Sequence, residues 1–339
     1  MCVIKKTAIV AFYLVFAVVG SMRWVSGKVE EYVNAPIRND SNVLFTVPEG
    51  ANYHSVTGYL VSEGMVDSSQ WGRWATKIYP ELTYIKAGTY QLEPNMRVVD
   101  IFSVFRAGKE HQFAITFVEG STFKEWLELL AKTDSIRHEM TSLSESEIAM
   151  KLGLPSEKGE GLFLPETYYF VMGDSDTSIL IRALKQLNAE LESAWKDRAT
   201  GLPIKSTYEL LTLASIIEKE TSVETERGKV ASVFVNRLNK RMRLQSDPTV
   251  IYGMGDKYDG NLRKKDLWAP TPYNTYVIFG LPPTPISMPS KASIIAAANP
   301  DNTPYFYFVA DGLGRHNFST TLTAHNRAVR QYLKTLKNK

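Results

Sequence analysis

The chain has 339 residues, 44% of them hydrophobic and 22% charged, an ordinary composition for a folded protein of roughly two to three domains. Thirty-nine Lys and Arg against 36 Asp and Glu leave a net charge of +3, too small to argue for nucleic-acid binding, which needs a concentrated basic stripe. A single cysteine, Cys2, excludes an intramolecular disulfide framework and lets no compartment be read from cysteine usage.

The N-terminus is informative. Residues 1–6 read as a short cytoplasmic tail with a Lys5–Lys6 pair, and residues 7–25 as a transmembrane anchor. Its uncharged core, Thr7 to Met22, spans about 24 Å as a helix, against roughly 30 Å of hydrocarbon. Lys5, Lys6 and Arg23 can snorkel and Trp24 suits the interface. A cleaved signal peptide is the rival reading, and a retained anchor the preferred one. With the basic pair inside, the bulk of the chain faces the far side of a cytoplasmic (inner) membrane crossed once. Residues 26–42 carry Pro36 and no evident apolar periodicity, and read as a tether.

A strand over Leu44 to Val47 leads into Pro48-Glu49-Gly50 and a helical segment from Tyr53. The same order recurs from Phe113 to Gly120, followed by a helix that Thr122 and Glu125 can cap. Between the two lie strand, turn, strand and helix, so residues 43–150 read as a small α+β module. Residues 141–160 look like a boundary, and 151–339 form a second, mostly helical domain. Its helices are expected over Ser178–Ala199, Thr207–Thr221, Thr225–Met242, Lys291–Asn299 and Thr321–Lys337. The basic cluster Lys334, Lys337 and Lys339 reads as a solvated helix end. From Arg243 to Pro289 the chain is dense in Pro, Gly, Tyr, Asn and Asp, the composition of a binding surface built from irregular backbone.

Several motifs carry no chemistry. Ser121-Thr122-Phe123-Lys124 fits S-x-x-K but lacks the companion elements of a serine acyl-enzyme. The five histidines have no H-E-x-x-H spacing, so neither a metal nor another cofactor is expected. The helix TYELLTLASIIEKET has a broad apolar arc, with Lys219 opposite and Glu218 and Glu220 on its two borders. Either glutamate suits a solvated edge or a carboxyl with raised proton affinity, and periodicity does not choose between them.

ASIIEKET, with EGLFLPETYYF before it and RLQSDPTVIYG, TPYNTY, GLPPTPI and RHNFSTTLTAHN after it, resembles the YceG-like family of endolytic murein transglycosylases. The resemblance implies an α+β chain comprising an anchor, a LysM-like module and a transglycosylase domain. It implies Glu218 as the catalytic residue, and a substrate groove from Glu166, Gln245, Ser246, Asp247, Tyr252, Tyr273, Asn274 and Tyr276. It also implies the substrate and neighbours: peptidoglycan glycan strands, the cytoplasmic membrane and the peptidoglycan synthases. The reaction so implied needs one carboxylate. Glu218 protonates the glycosidic oxygen, then takes the proton of the muramic acid C6 hydroxyl as that hydroxyl closes a 1,6-anhydro ring. Ordinary glycosidases use two carboxylates. The alternative is a membrane-anchored peptidoglycan-binding or synthase-scaffold protein without catalysis.

Overall fold

A computed structural model describes residues 2–337, with side chains from 9 to 336. The Lys5–Lys6 side chains, the Cys2 thiol and the side chains of Lys337 and Lys339 lie outside the described residues. The chain is α+β and divides into two compact units, Met1–Phe113 and Ala114–Lys339.

In the first unit, α1 spans Cys2–Val33. Its stretch Ile9–Val33 is long and apolar enough to cross a membrane, and its most apolar window has no buried residue. A signal sequence meets the same description. Residues 26–42, expected as a tether, are instead folded into the unit. The helix continues to Val33, and Val29, Tyr32, Val33 and Ile37 are buried in the core, with Val25 packed against it. Their spacing of three and four residues is a helical stripe, too short to stand out beside Lys28, Glu30 and Glu31. Beyond it, Ile37 donates its backbone N–H to Met96 O at 2.8 Å.

β1 (Val43–Val47), α2 (Tyr53–Ser62), α3 (Trp71–Ile78), β2 (Gly88–Leu92) and α4 (Val98–Ala107) complete the unit. β1 and β2 pair antiparallel with Phe45 opposite Tyr90. Phe45 stacks on Phe105 at 5.8 Å and Tyr53 meets Phe102 at 4.7 Å, giving the unit an aromatic centre. Asn52 caps α2 with a reciprocal capping box.

The second unit starts earlier than the expected boundary near residue 150. β3 (Phe113–Thr116) pairs forward with β4 (Thr167–Phe170). α5 (Phe123–Ala131) buries Phe123 and Trp126, which stack on Phe163 at 5.2 Å and Phe117 at 3.8 Å respectively. Phe163 and β4 lie far along the chain from α5 and β3, so local pattern does not reveal them. α6 (Glu145–Leu152) precedes β4, and α7 (Asp176–Lys196), α8 (Thr207–Glu220), α9 (Glu224–Asn239), α10 (Asp247–Met254) and α11 (Lys291–Ala298) follow. A hairpin of β5 (Tyr307–Ala310) and β6 (His316–Ser319) leads into α12 (Leu322–Lys337).

α8 is the axis of this unit. Every residue from Leu210 to Ile217 is buried, and α7, α9, α10 and α11 all pack on it. The expected stripe is thus a helix enclosed all round from Leu210 to Ile217, whose charged residues lie at its two ends, Glu209 at the first and Glu218, Lys219 and Glu220 at the last. α10 emerges inside the stretch read as irregular; Pro248 in its first turn fits a helix start, where no amide hydrogen bond is lost.

Candidate active site

The last turn of α8 brings Glu218 to the N-terminus of α11. Glu218 Oε2 accepts hydrogen bonds from Ser290 N at 2.9 Å, Ser290 Oγ at 2.5 Å and Ser293 Oγ at 2.6 Å. Oε1 has no hydrogen-bond partner among the described residues. A helix N-terminus carries partial positive charge, so α11 complements the carboxylate it faces. The loop before α11 is fixed to α8 in turn: Ile286 N donates to Ser215 Oγ at 3.0 Å and Ser287 Oγ to Ser215 O at 3.1 Å.

A third segment closes on the same place. Gly120 N donates to Met288 O, and Met288 N donates to Ser121 O, both at 2.8 Å. Lys219 Nζ donates to Gly120 O at 2.9 Å. Gly120 has φ +72, and a Cβ there would lie 3.5 Å from Glu218 Cγ. The turn before it presents Glu119, whose exposed carboxyl takes up protons more readily than usual. Partial burial is the first cause and the charge of Glu218 the second, while Arg227 opposes the rise and Glu166 adds to it. The predicted Glu166 is therefore near this carboxylate pair, at the start of the β4 segment, where its backbone O accepts from Phe117 N at 3.1 Å.

Glu220 leads elsewhere. Two residues on, it falls about 200° around the helix from Glu218, and its Oε1 accepts from Ser246 Oγ at 2.5 Å. Desolvation pushes its carboxyl up to about 7, against the pull of Ser246 and with the push of Asp247. Of the two readings the sequence left open for Glu220, a solvated edge or a carboxyl with raised proton affinity, the second holds. Around it gather other predicted residues. Asp247 Oδ1 accepts from Tyr276 OH at 2.5 Å, and Gln245 stands at φ +51 with its N–H on Thr275 O at 3.2 Å. Ser246 is buried at 2% exposure, with its N–H on Thr275 Oγ1 at 2.9 Å. Asn274 differs from the expected sugar contact. It is fully buried; its amide donates to the backbone carbonyls of Asp266, Leu267 and Ala269, and its Oδ1 accepts from Tyr276 N. It builds the loop and presents no free atom to a ligand.

Tyr252 and Tyr273 belong to a third cluster, edge to face at 4.8 Å. They line a cavity of about 1350 Å³ together with Thr122, Phe123, Lys158 and Glu160. Glu160 is 5% exposed and accepts from Phe123 N at 3.2 Å; burial pushes its carboxyl up to about 8. Among the described residues, no three or more His, Cys, Asp or Glu side chains are placed to hold a metal ion.

Sequence reasoning missed Ser290 and Ser293, although a serine three residues before another at the start of an apolar run is a cap signal. It missed Glu119, Glu160 and Arg227 as well. Glu119 sits in the repeated Glu-Gly turn, which was visible; nothing local marks the other two.

The family model described as "YceG-like family" matches residues 45–331. A Bacillus subtilis protein named endolytic murein transglycosylase is 32% identical over 326 residues, covering 90% of this chain and 89% of its own. A Streptococcus pneumoniae protein of the same name is 28% identical; the match covers 89% of this chain and 61% of that longer protein. The crystal structure of a yceG-like protein from Listeria monocytogenes superposes with a TM-score of 0.54 at 28% identity, covering 85% of this chain and 99% of its own. With the family model spanning both compact units and a relative this similar along nearly its whole length, the chain belongs to the YceG-like family.

Proposed function

We propose that the protein is an endolytic murein lytic transglycosylase that cuts glycan strands between N-acetylmuramic acid and N-acetylglucosamine, leaving 1,6-anhydro-N-acetylmuramic acid ends. The observation that carries this reading is the state of Glu218. One carboxyl oxygen is fixed by Ser290 and Ser293 while Oε1 is left without a protein partner among the described residues. An acid/base that must give a proton and take another back needs such a free, aimed oxygen. Protonated Glu218 donates to the glycosidic oxygen as the bond from C1 breaks. The resulting carboxylate takes the proton of the C6 hydroxyl, whose oxygen bonds to C1. The nucleophile is part of the reacting sugar, so closure gains the advantage of an intramolecular reaction.

Glu166 beside this centre, Gln245, Asp247 and Tyr276 beside Glu220, and Tyr252 and Tyr273 on the cavity supply the groove, with Ser246 and Asn274 shaping its backbone. The first unit serves as a LysM-like glycan-binding module, a reading supported by its antiparallel β1–β2 pair flanking two helices. α1 serves as a retained single-pass anchor, supported by its exposed apolar surface, with the bulk of the chain outside the cytoplasmic membrane. Full-length protein in membranes washed at high pH is expected; a shortened, soluble product overturns the anchor. The enzyme then acts on nascent strands beside the peptidoglycan synthases, a pairing that cross-linking in cells tests.

The deciding experiment is digestion of isolated sacculi by wild type and Glu218→Gln, with mass analysis of the ends. Wild type should give anhydro ends, and the isosteric amide should lose at least about 10²–10⁴-fold in rate while melting normally. Reducing muramic ends, or near wild-type turnover by a folded Glu218→Gln protein, would remove the assignment. No turnover by wild type would favour a binding or scaffold role.

A further inference from the structure

We propose that Glu119 is a second catalytic carboxylate at the same centre, holding negative charge beside the anomeric carbon while Glu218 handles the proton. The inference rests on the assignment of Glu218 as the acid/base. Three features of the site carry it.

The first is placement. The Glu119–Ser121 turn is pinned on both sides, by the paired N–H···O bonds between residues 120–121 and Met288 and by Lys219 Nζ on Gly120 O at 2.9 Å. Its glycine lies so close to Glu218 that a Cβ would touch Cγ at 3.5 Å. The second is availability. The Glu119 carboxyl accepts no hydrogen bond and enters no ion pair among the described residues, and its side chain is exposed. The third is its charged surroundings. Glu218 acts on it from α8, Glu166 from the start of the β4 segment and Arg227 from α9, while Lys219 Nζ is tied to the neighbouring Gly120 O. Arg227 is 8% exposed and its Nε is buried without a hydrogen-bond partner. The Arg227 charge favours the ionised form of Glu119 and so opposes the net rise that burial and Glu218 produce.

The chemistry follows from where charge develops. As the C1–oxygen bond breaks, its electron pair leaves with the oxygen that Glu218 protonates, and positive charge grows on C1 and the ring oxygen. A fixed anion there stabilises the transition state more than the neutral ground state. Glu119 forms no bond and moves no proton; the C6 oxygen supplies the new bond to C1 and its proton returns to Glu218. After burial, the charge of Glu218 is one of the causes that make Glu119 take up protons more readily than usual, so the two carboxyls are electrostatically coupled.

Glu119→Gln, Glu119→Asp and Glu218→Gln should be compared on soluble peptidoglycan strands, with rates followed across pH and thermal melts on each protein. Expected for Glu119→Gln are an unchanged melt, a kcat lower by about 10²–10³-fold, as for loss of one preorganised electrostatic group, and a KM within about twofold. The alkaline limb of its pH–rate profile should move to lower pH. Glu119→Asp, with the charge kept on a shorter arm, should recover part of the rate and the position of the limb. Wild-type kcat in Glu119→Gln would overturn the proposal, and so would a slower variant with an unmoved limb, because a merely structural residue would behave so. An inactive Glu218→Gln beside an unaffected Glu119→Gln removes this inference alone. An active Glu218→Gln removes the reading beneath it.

Discussion

The chain builds the same local device twice, and only one copy meets the Glu218 carboxylate. In the first unit, β1 runs into Pro48-Glu49-Gly50, with Gly50 at φ +75, and then into α2. In the second, β3 leads to Val118-Glu119-Gly120, with Gly120 at φ +72, and then to α5. Both helices start with reciprocal capping boxes. A Cβ at Gly50 would meet nothing within 4 Å, whereas one at Gly120 would touch Glu218 and Lys219. Local sequence therefore makes the turn, and tertiary packing decides what the turn is for.

The largest effect should come from filling both turns. Gly50→Val and Gly120→Val each put a β-branched residue at positive φ, with a strain of about 1–3 kcal/mol. At residue 50 the side chain projects into open space, so stability should fall and glycan turnover by the folded protein should not. At residue 120 the γ-methyl groups reach beyond a Cβ that already lies 3.5 Å from Glu218 Cγ. With Glu218 as the proposed acid, displacing it by about 1 Å can cost roughly 10²-fold in rate. Sacculus digestion below both melting temperatures measures this. Equal losses for the two variants, or no loss at residue 120, would erase the distinction between the turns.

The same contrast explains what was legible in the sequence. Both strand–turn–helix units and the five long helices from α7 to α12 that were expected appear near their expected positions, because capping residues and helical stripes are local signals. The end of α1 did not stand out, since Val25, Val29 and Val33 alternate with charged residues and reveal a core only when α3 and α4 close over them. The start of the second unit is not marked locally, because β3 finds its partner at Thr167–Phe170. Glu218 was visible as a border glutamate, and resemblance selected it. Its holders Ser290 and Ser293 lie more than 70 residues away, a separation that no periodicity bridges. Asn274 looked like a ligand for sugar because its amide could serve either role; only burial shows that backbone carbonyls occupy it.

A smaller effect should separate the two helices that come after the turns. α5 receives a second acceptor from a distance, Glu160 on Phe123 N at 3.2 Å, while α2 has no acidic residue in its first turn. Burial raises the Glu160 carboxyl from 4.5 to about 8, so the folded chain binds this proton more tightly than the unfolded one. That contribution to stability is complete below pH 4.5 and is lost as pH rises through about 8. Glu160→Gln keeps an acceptor for Phe123 N and does not ionise. Its melting temperature relative to wild type should therefore improve steadily across this window, as scanning calorimetry at several pH values would show. A constant difference across the window would mean that Glu160 does not titrate there.

The smallest effect concerns the caps themselves, and it tests whether the two devices are locally alike. Asn52 Oδ1 accepts from His54 N at 3.0 Å and Ser55 N at 3.1 Å. Thr122 Oγ1 accepts only from Glu125 N, at 3.3 Å, while Glu125 returns a bond from Thr122 N at 2.7 Å. An N-cap contributes about 1 kcal/mol. Asn52→Ala removes both side-chain bonds from the start of α2. Thr122→Ala removes one bond accepted from a helix amide and the Oγ1 donation to Glu125 Oε2 at 3.0 Å, leaves the Glu125 carboxyl on the Thr122 N–H, and leaves Glu160 on Phe123 N. Native-state amide hydrogen exchange reads each helix start separately, because local openings there need not unfold the whole unit. Protection at the start of α2 should fall by roughly fivefold in Asn52→Ala, the equivalent of about 1 kcal/mol, and protection at the start of α5 should fall by less in Thr122→Ala. A larger loss at α5 would show that the Thr122 hydroxyl, and not the buried Glu160, holds the start of the helix after the second turn.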